Sequence, residues 1–254
     1  MKIFVLLKQV FDTEAVIKMV DGQISGEEVP RIMNPYDEYA IEEALKIAEV
    51  VGGEVTVFSV GSGVEPTVRQ ALAMGAHRGY IIEDTALREA DEYGIAVALA
   101  EAIKKMEYNL ILAGWRASDG GSAQVAARVA QALDLPLVNL AVQLDLKGEK
   151  VTATTEIDGG TAVVEVPLPA VVTCQKGLNE PRYPSLKGIM QAKKKEVAKA
   201  GLADLGLKPA EVAAKVKTLG LYLSEDRSTG KVLEEGPAAA AQLAKLLREE
   251  AKVI

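Results

Sequence analysis

Cysteine and histidine are nearly missing from this 254-residue chain, which has one of each, Cys174 and His77. A structural zinc site needs about four Cys/His ligands, and an iron–sulfur cluster needs several thiolates. The chain has the ligands for neither, and no metal site is expected. A Ser-His-Asp triad would have to use His77. Its setting, Met74-Gly75-Ala76-His77-Arg78-Gly79, reads as a helix-to-strand connection with an exposed turn histidine. Cys174 ends the apolar run Ala170-Val171-Val172-Thr173 and is expected as a buried, inert strand residue. Aromatics make up only 4% against 49% hydrophobic residues, which implies an aliphatic interior of the kind common in α/β folds. No apolar stretch approaches the ~20 residues of a membrane span, so no membrane insertion is expected. Met1-Lys2 leads into a short apolar run without an A-x-A-like site, and no signal peptide is expected. The cytoplasm is the expected location. A net charge of -7 opposes nucleic-acid binding by phosphate neutralisation. The one basic run, Lys193-Lys194-Lys195, is short and has little aromatic interleaving.

What is present is a long alternation of strand and helix patterns. Strands are expected at Lys2 to Leu7, Glu54 to Val60, Gly79 to Glu83 and Tyr108 to Ala113. Helices are expected at Pro35 to Val51, Val64 to Met74, Asp91 to Met106 and Ser122 to Leu133, with glycines at 52, 53 and 75 where C-caps belong. Such alternation implies a mostly parallel sheet covered on both faces. From Asn139 to Gln175 the period becomes strand-like, with turn signals at Lys147-Gly148 and Asp158-Gly159-Gly160, and reads as an antiparallel extension. Residues 196–218 read as loosely structured, interrupted by Gly201, Gly206 and Pro209. Lys217 to Leu223 reads as a last strand, Ser224 to Gly236 as turn-rich, and Pro237 to Lys252 as a terminal helix. The division expected from the pattern is an α/β domain over 1–195 and a C-terminal arm or small lobe over 196–254.

Two segments carry candidate chemistry. Gly114-Trp115-Arg116-Ala117-Ser118-Asp119-Gly120-Gly121-Ser122-Ala123-Gln124-Val125 joins the fourth strand to its helix. It falls at the C-terminal edge of a parallel sheet, where open α/β folds bind ligands. Glycines let backbone approach a phosphate, and Ser122 with the first helical amides supplies donors at the positive helix end. The loop matches neither the P-loop nor the dinucleotide fingerprint, and a plain tight connection is its other reading. Met33-Asn34-Pro35-Tyr36-Asp37 opens the first long helix, with Asn34 as N-cap and Pro35 in the first turn. The carboxylate pairs Glu42-Glu43 and Glu249-Glu250 read as solvated helical faces, and no catalytic residue is expected.

The most distinctive stretch is Asn179-Glu180-Pro181-Arg182-Tyr183-Pro184-Ser185-Leu186-Lys187-Gly188-Ile189-Met190, followed after Gln191-Ala192 by the three lysines. Pro181 and Pro184 make a stiff turn. Ser185 is an N-cap candidate with Leu186, Ile189 and Met190 on one helical face. The lysines suit the C-terminal pole of that helix. The segment resembles the signature of the electron-transfer flavoprotein β-subunit family. The first strand, the Asn-Pro helix, Ala73-Met74-Gly75-Ala76, the glycine loop and Glu156-Ile157-Asp158-Gly159-Gly160 extend the resemblance over nearly the whole chain.

The resemblance implies a Rossmann-like, adenine nucleotide α-hydrolase-like three-layer sandwich. It also implies an electron carrier subunit rather than an enzyme, with a role in fatty-acid β-oxidation. It places a structural AMP against Leu6, Asn34, Pro35, Tyr36, Asp37, Val60 and Gly114 to Val125. It also implies that residues 1–195 bind the nucleotide, that FAD is shared with, and held mainly by, an α subunit in a heterodimer, with Tyr36 approaching the flavin, and that the C-terminal arm over 196–254 packs on that partner. Leu186, with Ile189 and Met190, would anchor flavin dehydrogenases, and electrons would pass to a quinone-linked or other acceptor. Gly120 and Gly121 stand where the family often carries acidic residues, and Thr13 where some members have an aromatic one. Whether the nucleotide is AMP or, as in electron-bifurcating relatives, a second FAD stays open. The alternatives are a stand-alone, universal-stress-like adenine-nucleotide module, which would not need the Asn179–Lys195 signature, and an enzyme acting on nucleotide phosphate.

Overall fold

The computed structural model describes residues 1–20, 23–24, 29–223, 230–233 and 235–254. Its frame is a nine-stranded sheet. In chain order the strands are β1 (Lys2–Leu6), β2 (Glu54–Val60), β3 (Arg78–Ile82), β4 (Leu110–Gly114), β5 (Leu137–Lys147), β6 (Lys150–Ile157), β7 (Gly160–Pro167), β8 (Ala170–Cys174) and β9 (Val197–Ala200). Their order across the sheet is β7-β6-β5-β8-β4-β1-β2-β3-β9. Every pairing from β5 to β9 in that order is parallel, and β6 and β7 add an antiparallel hairpin on β5. Of the stretch Asn139 to Gln175 read as an antiparallel extension, only β6 and β7 form one; β8, at its end, is an interior strand parallel to both β5 and β4. A short ribbon, Gln9–Phe11 with Arg31–Met33, leads from β1 into the first helix.

Alternation along the strands sends side chains to two cores. Ile3, Val5, Val55 and Val57 pack beneath α1 (Pro35–Val51) and α2 (Glu65–Met74). Phe4, Leu6, Phe58 and Ile111 pack beneath α3 (Glu92–Lys104) and α4 (Val125–Ala132). The result is the three-layer, mostly parallel α/β architecture. The interior is aliphatic, with an aromatic run from Phe4 to Phe58 to Tyr80 at ring separations of 4.8 and 5.2 Å, the first pair tilted and the second stacked.

Four expectations need correction. First, of the segment 196–218 read as loose, residues 197 to 212 are packed, whereas 213–218 are irregular and exposed. β9 pairs with β3, α6 (Leu202–Leu205) packs in the second core, and Val212 is fully buried. A Cβ on Gly94 of α3 would lie against the Val212 carbonyl, so the chain there is seated without a gap. The sheet thus runs past residue 195. Second, Lys217 to Leu223 forms no strand, and Leu219 and Tyr222 are exposed. Third, α4 starts at Val125 rather than Ser122, because Ala123 has φ +55°, outside the helical region. Fourth, Glu42 and Glu43 are buried rather than solvated. The stretch read as turn-rich, Ser224 to Gly236, lies outside the described residues at 224–229 and 234. The terminal helix α7 spans Pro237–Glu249, and none of its residues is buried. Among the described residues no helix is long and apolar enough to cross a membrane.

Candidate functional site

The strand order reverses at β1, whose neighbours are β2 on one side and β4 on the other. A crevice opens at such a switch point because the loops that leave the two strands diverge to opposite faces. Here it is a cleft of about 970 Å³ at the C-terminal ends of β1, β2 and β4. Leu6 and Val60 form its floor, Asn34 and Asp37 one wall, and the loop after β4 the other.

Asp37 organises these walls. Its Oδ2 accepts the Lys8 amide at 2.7 Å, and its Oδ1 accepts the Gly114 amide at 3.1 Å and Asn34 Nδ2 at 2.8 Å. Burial pushes its pKa up to about 7, against these hydrogen bonds and the positive charge of Lys8, which favour the ionised form. Gly114 has no alternative at its position, since a Cβ there would strike Asp37 Oδ1 and the Tyr36 backbone. Asn34 precedes α1 as expected but makes no side-chain cap. Its amide instead reaches into the glycine loop, donating to the Arg116 carbonyl at 2.9 Å and accepting the Ser118 amide at 3.1 Å.

The loop is braced again at its tip, where Asp119 accepts Lys8 Nζ at 2.8 Å. Trp115 meets Tyr36 edge-on at 5.5 Å, and the Arg116 guanidinium lies over the Trp115 ring at 4.3 Å. The buried Trp115 Nε1 has no partner among the described residues. Gly120 and Gly121 face open space, a Cβ on Gly120 meeting only Lys8 Nζ at 4.0 Å. Their bareness is not needed for internal packing, although Gly121 at φ +66° favours glycine for its backbone. Beyond them the first amides of α4 lie at the cleft with the positive end of the helix dipole.

The far end of the cleft is closed by a segment that sequence reasoning missed. Ala214 to Thr218 crosses it, with the Lys215 and Val216 amides donating to Asp91 Oδ2 at 2.6 and 3.0 Å. The other oxygen of Asp91 caps α3 through the Tyr93 and Gly94 amides. The sequence places Asp91 at the start of this helix; neither its capping bonds nor its bonds to Lys215 and Val216 are read there.

The proline-rich segment forms a separate surface. Asn179 Nδ2 donates to Glu43 Oε2 at 2.9 Å, and Arg182 Nε pairs with Glu42 at 2.8 Å while its guanidinium also reaches Glu49. The short helix α5 (Leu186–Ala192) is capped by Ser185, whose Oγ accepts the Gly188 amide at 3.0 Å. A Cβ on Gly188 would strike the Ala73 carbonyl, so α5 lies directly on the end of α2. Lys195 serves that same end rather than its own helix, donating to the Leu72 and Ala76 carbonyls at 2.9 and 2.6 Å. With the polar anchors turned inward, Tyr183, Leu186 and Met190 face out, Leu186 at 83% exposure.

A family model described as the electron transfer flavoprotein domain matches residues 21–205. The chain is 44% identical to the electron transfer flavoprotein subunit beta of Bacillus subtilis (strain 168), over 100% of both chains. It is 46% identical to that of Syntrophomonas wolfei, over 100% of this chain and 98% of the relative. The chain belongs to the electron transfer flavoprotein family, as a β subunit. Another relative, 39% identical over 82% of this chain and 81% of its own length, is named the caffeyl-CoA reductase-Etf complex subunit CarD of Acetobacterium woodii.

Within this electron transfer flavoprotein β subunit the structure gathers most of the expected site residues. Leu6, Asn34, Asp37, Val60, Gly114 to Ala117, Gly120 and Ser122 to Val125 line the cleft. Pro35, Tyr36, Ser118, Asp119 and Gly121 are not among its lining residues, and Ser118, Asp119 and Gly121 are exposed. Leu186, Ile189 and Met190 are exposed on α5, away from the cleft. The two residues set aside at the start behave as follows. Cys174 is fully buried, with its thiol pushed up by burial and by the charges of Glu43 and Asp37. His77 is an exposed turn residue whose Nδ1 accepts the Val55 amide at 3.0 Å.

Proposed function

We propose that this chain works as one half of a heterodimeric electron carrier, with an adenine nucleotide held in the cleft and a flavin shared with an α subunit. The observation that carries the reading is the cleft at the switch point, with a glycine-rich loop and a helix N-terminus on one wall. Exposed backbone at Gly120 and Gly121 and the start of α4 suit a phosphate. The apolar floor at Leu6 and Val60 suits an adenine ring. The nucleotide is AMP in a structural role, and FAD is held mainly by the α subunit, with Tyr36 and Trp115 at the shared face.

Leu186, with Ile189 and Met190 beside it, is the docking point for flavin dehydrogenases, and electrons leave to a quinone-linked or other acceptor. What supports this is a rigid platform whose polar residues are spent on anchoring and whose apolar ones face solvent. The arm beyond residue 218, with α7 unburied on its own chain, packs on the α subunit. The cytoplasm suits such a carrier.

Purification of the chain with its α subunit, followed by release and identification of bound nucleotides, tests the reading. One AMP and one FAD per heterodimer are expected. Two FAD would replace AMP by a second flavin, as in bifurcating relatives. A heterodimer free of adenine nucleotide, or a chain that stays monomeric beside the α subunit, would overturn it.

A further inference from the structure

The structure assigns to Asp37 the role of positioning residue for the cleft: its ionised carboxylate holds the loops after β1 and β4 in their ligand-receiving arrangement, and protonation loosens that hold. The ligand consequence rests on the nucleotide reading above; the loop consequence does not.

Three segments that form the cleft converge on this one group. They are the Lys8 turn after β1, the Gly114 turn after β4 and, through Asn34, the backbone at Arg116 and Ser118. All three groups that meet the carboxylate are donors, two backbone amides and one side-chain amide. A carboxylate accepts all of them as charge-assisted bonds and has acceptor capacity to spare. Adding the proton takes up that spare position, leaves a buried O–H that needs an acceptor of its own, and turns the three bonds into weaker neutral ones, so the hold on the cleft walls loosens.

The titratable and charged groups on the surrounding elements are Lys8 on the β1 turn, Glu38 and Glu43 on α1, Cys174 on β8, and Arg116 and Asp119 on the glycine loop. Lys8 is the cation that stabilises the charged form, and its Nζ is shared with Asp119. Burial outweighs it and brings the protonation change to about pH 7. No substrate contact is needed for this role, since Asp37 acts through the amides it holds.

The chain's single tryptophan reports on the event, because Trp115 follows Gly114 directly. Emission of Trp115 in the full-length chain should titrate with a midpoint near pH 7 and be flat in Asp37→Asn. The only histidine, His77, lies at the opposite edge of the sheet and is retained in the variant. Adenosine, which does not titrate in this interval, replaces AMP as the probe. Its Kd for the wild type should rise about tenfold from pH 8 to pH 6, the effect of turning charge-assisted hydrogen bonds into weaker neutral ones. Asp37→Asn should bind it ten- to a hundredfold more weakly at pH 8, with no pH dependence.

Flat Trp115 emission in the wild type between pH 6 and 8 overturns the proposal, even where the variant fails to fold. So does adenosine binding that is the same at both pH values. A titrating Trp115 with no adenosine binding at any pH supports the loop role and removes the nucleotide reading instead.

Discussion

Burying Asp37 ionised costs the fold free energy at neutral pH, and its three hydrogen bonds return only part of it. The pKa is raised from the ordinary 3.8 to about 7, so the folded state holds the proton more tightly than the unfolded one. Stability from this group is present in full below pH 3.8 and is lost as pH rises through about 7. Unfolding by denaturant should give about 3 kcal/mol more stability at pH 5 than at pH 8 from this source. The difference should vanish in Asp37→Asn. Gly114 makes a second prediction at this scale. In Gly114→Ala the new methyl meets Asp37 Oδ1 and the Tyr36 backbone, both fixed, and should cost about 1–3 kcal/mol in the same measurement. The glycine loop was legible because its position after a strand and its composition both point to ligand binding. Asp37 was legible only as a member of that neighbourhood. Nothing in Met33-Asn34-Pro35-Tyr36-Asp37 distinguishes a helix-opening acid from one that bonds to backbone 77 residues away.

Among the elements, α5 and the turn before it separate anchoring from display. Arg182 neutralises Glu42, which is buried, so Arg182→Ala leaves a carboxylate without its partner and should cost about 3 kcal/mol of stability. Leu186→Ala removes an exposed side chain and should stay within about 0.5 kcal/mol of the wild type. The heterodimer carrying it should keep its nucleotide and flavin yet lose electron transfer from the dehydrogenase; wild-type transfer rates would remove Leu186 as the docking point. Ser185 as cap and the start of α5 at Leu186 could be read from local sequence, because capping is a local interaction. Glu42 and Glu43 could not. Helical periodicity puts them on the polar side of α1, and only the fold brings Arg182 and Asn179, about 140 residues on, to cover them. The same limit explains β9. Val197-Ala198-Lys199-Ala200 has little strand character of its own, and its place is given by the free edge of β3.

On the scale of the whole molecule, the layers followed from alternation of strand and helix, whereas the tail did not. Its strap at Ala214 to Thr218 depends on one distant carboxylate, Asp91, and among the described residues none of its helix α7 is fully buried. Truncation after Thr218 should therefore leave the melting temperature of the lone chain unchanged while abolishing its association with the α subunit by size-exclusion chromatography. The outward-facing Tyr183, Leu186, Met190, Leu219 and Tyr222 have a colloidal consequence as well. Among the described residues nothing shields these side chains, so two copies that meet have apolar surface to share. What keeps them apart is the net charge of -7, a long-range repulsion that acts over about 10 Å at 0.1 M salt and about 3 Å at 1 M. Light scattering from the lone chain should rise with ionic strength, the reverse of what an assembly held by ion pairs would do.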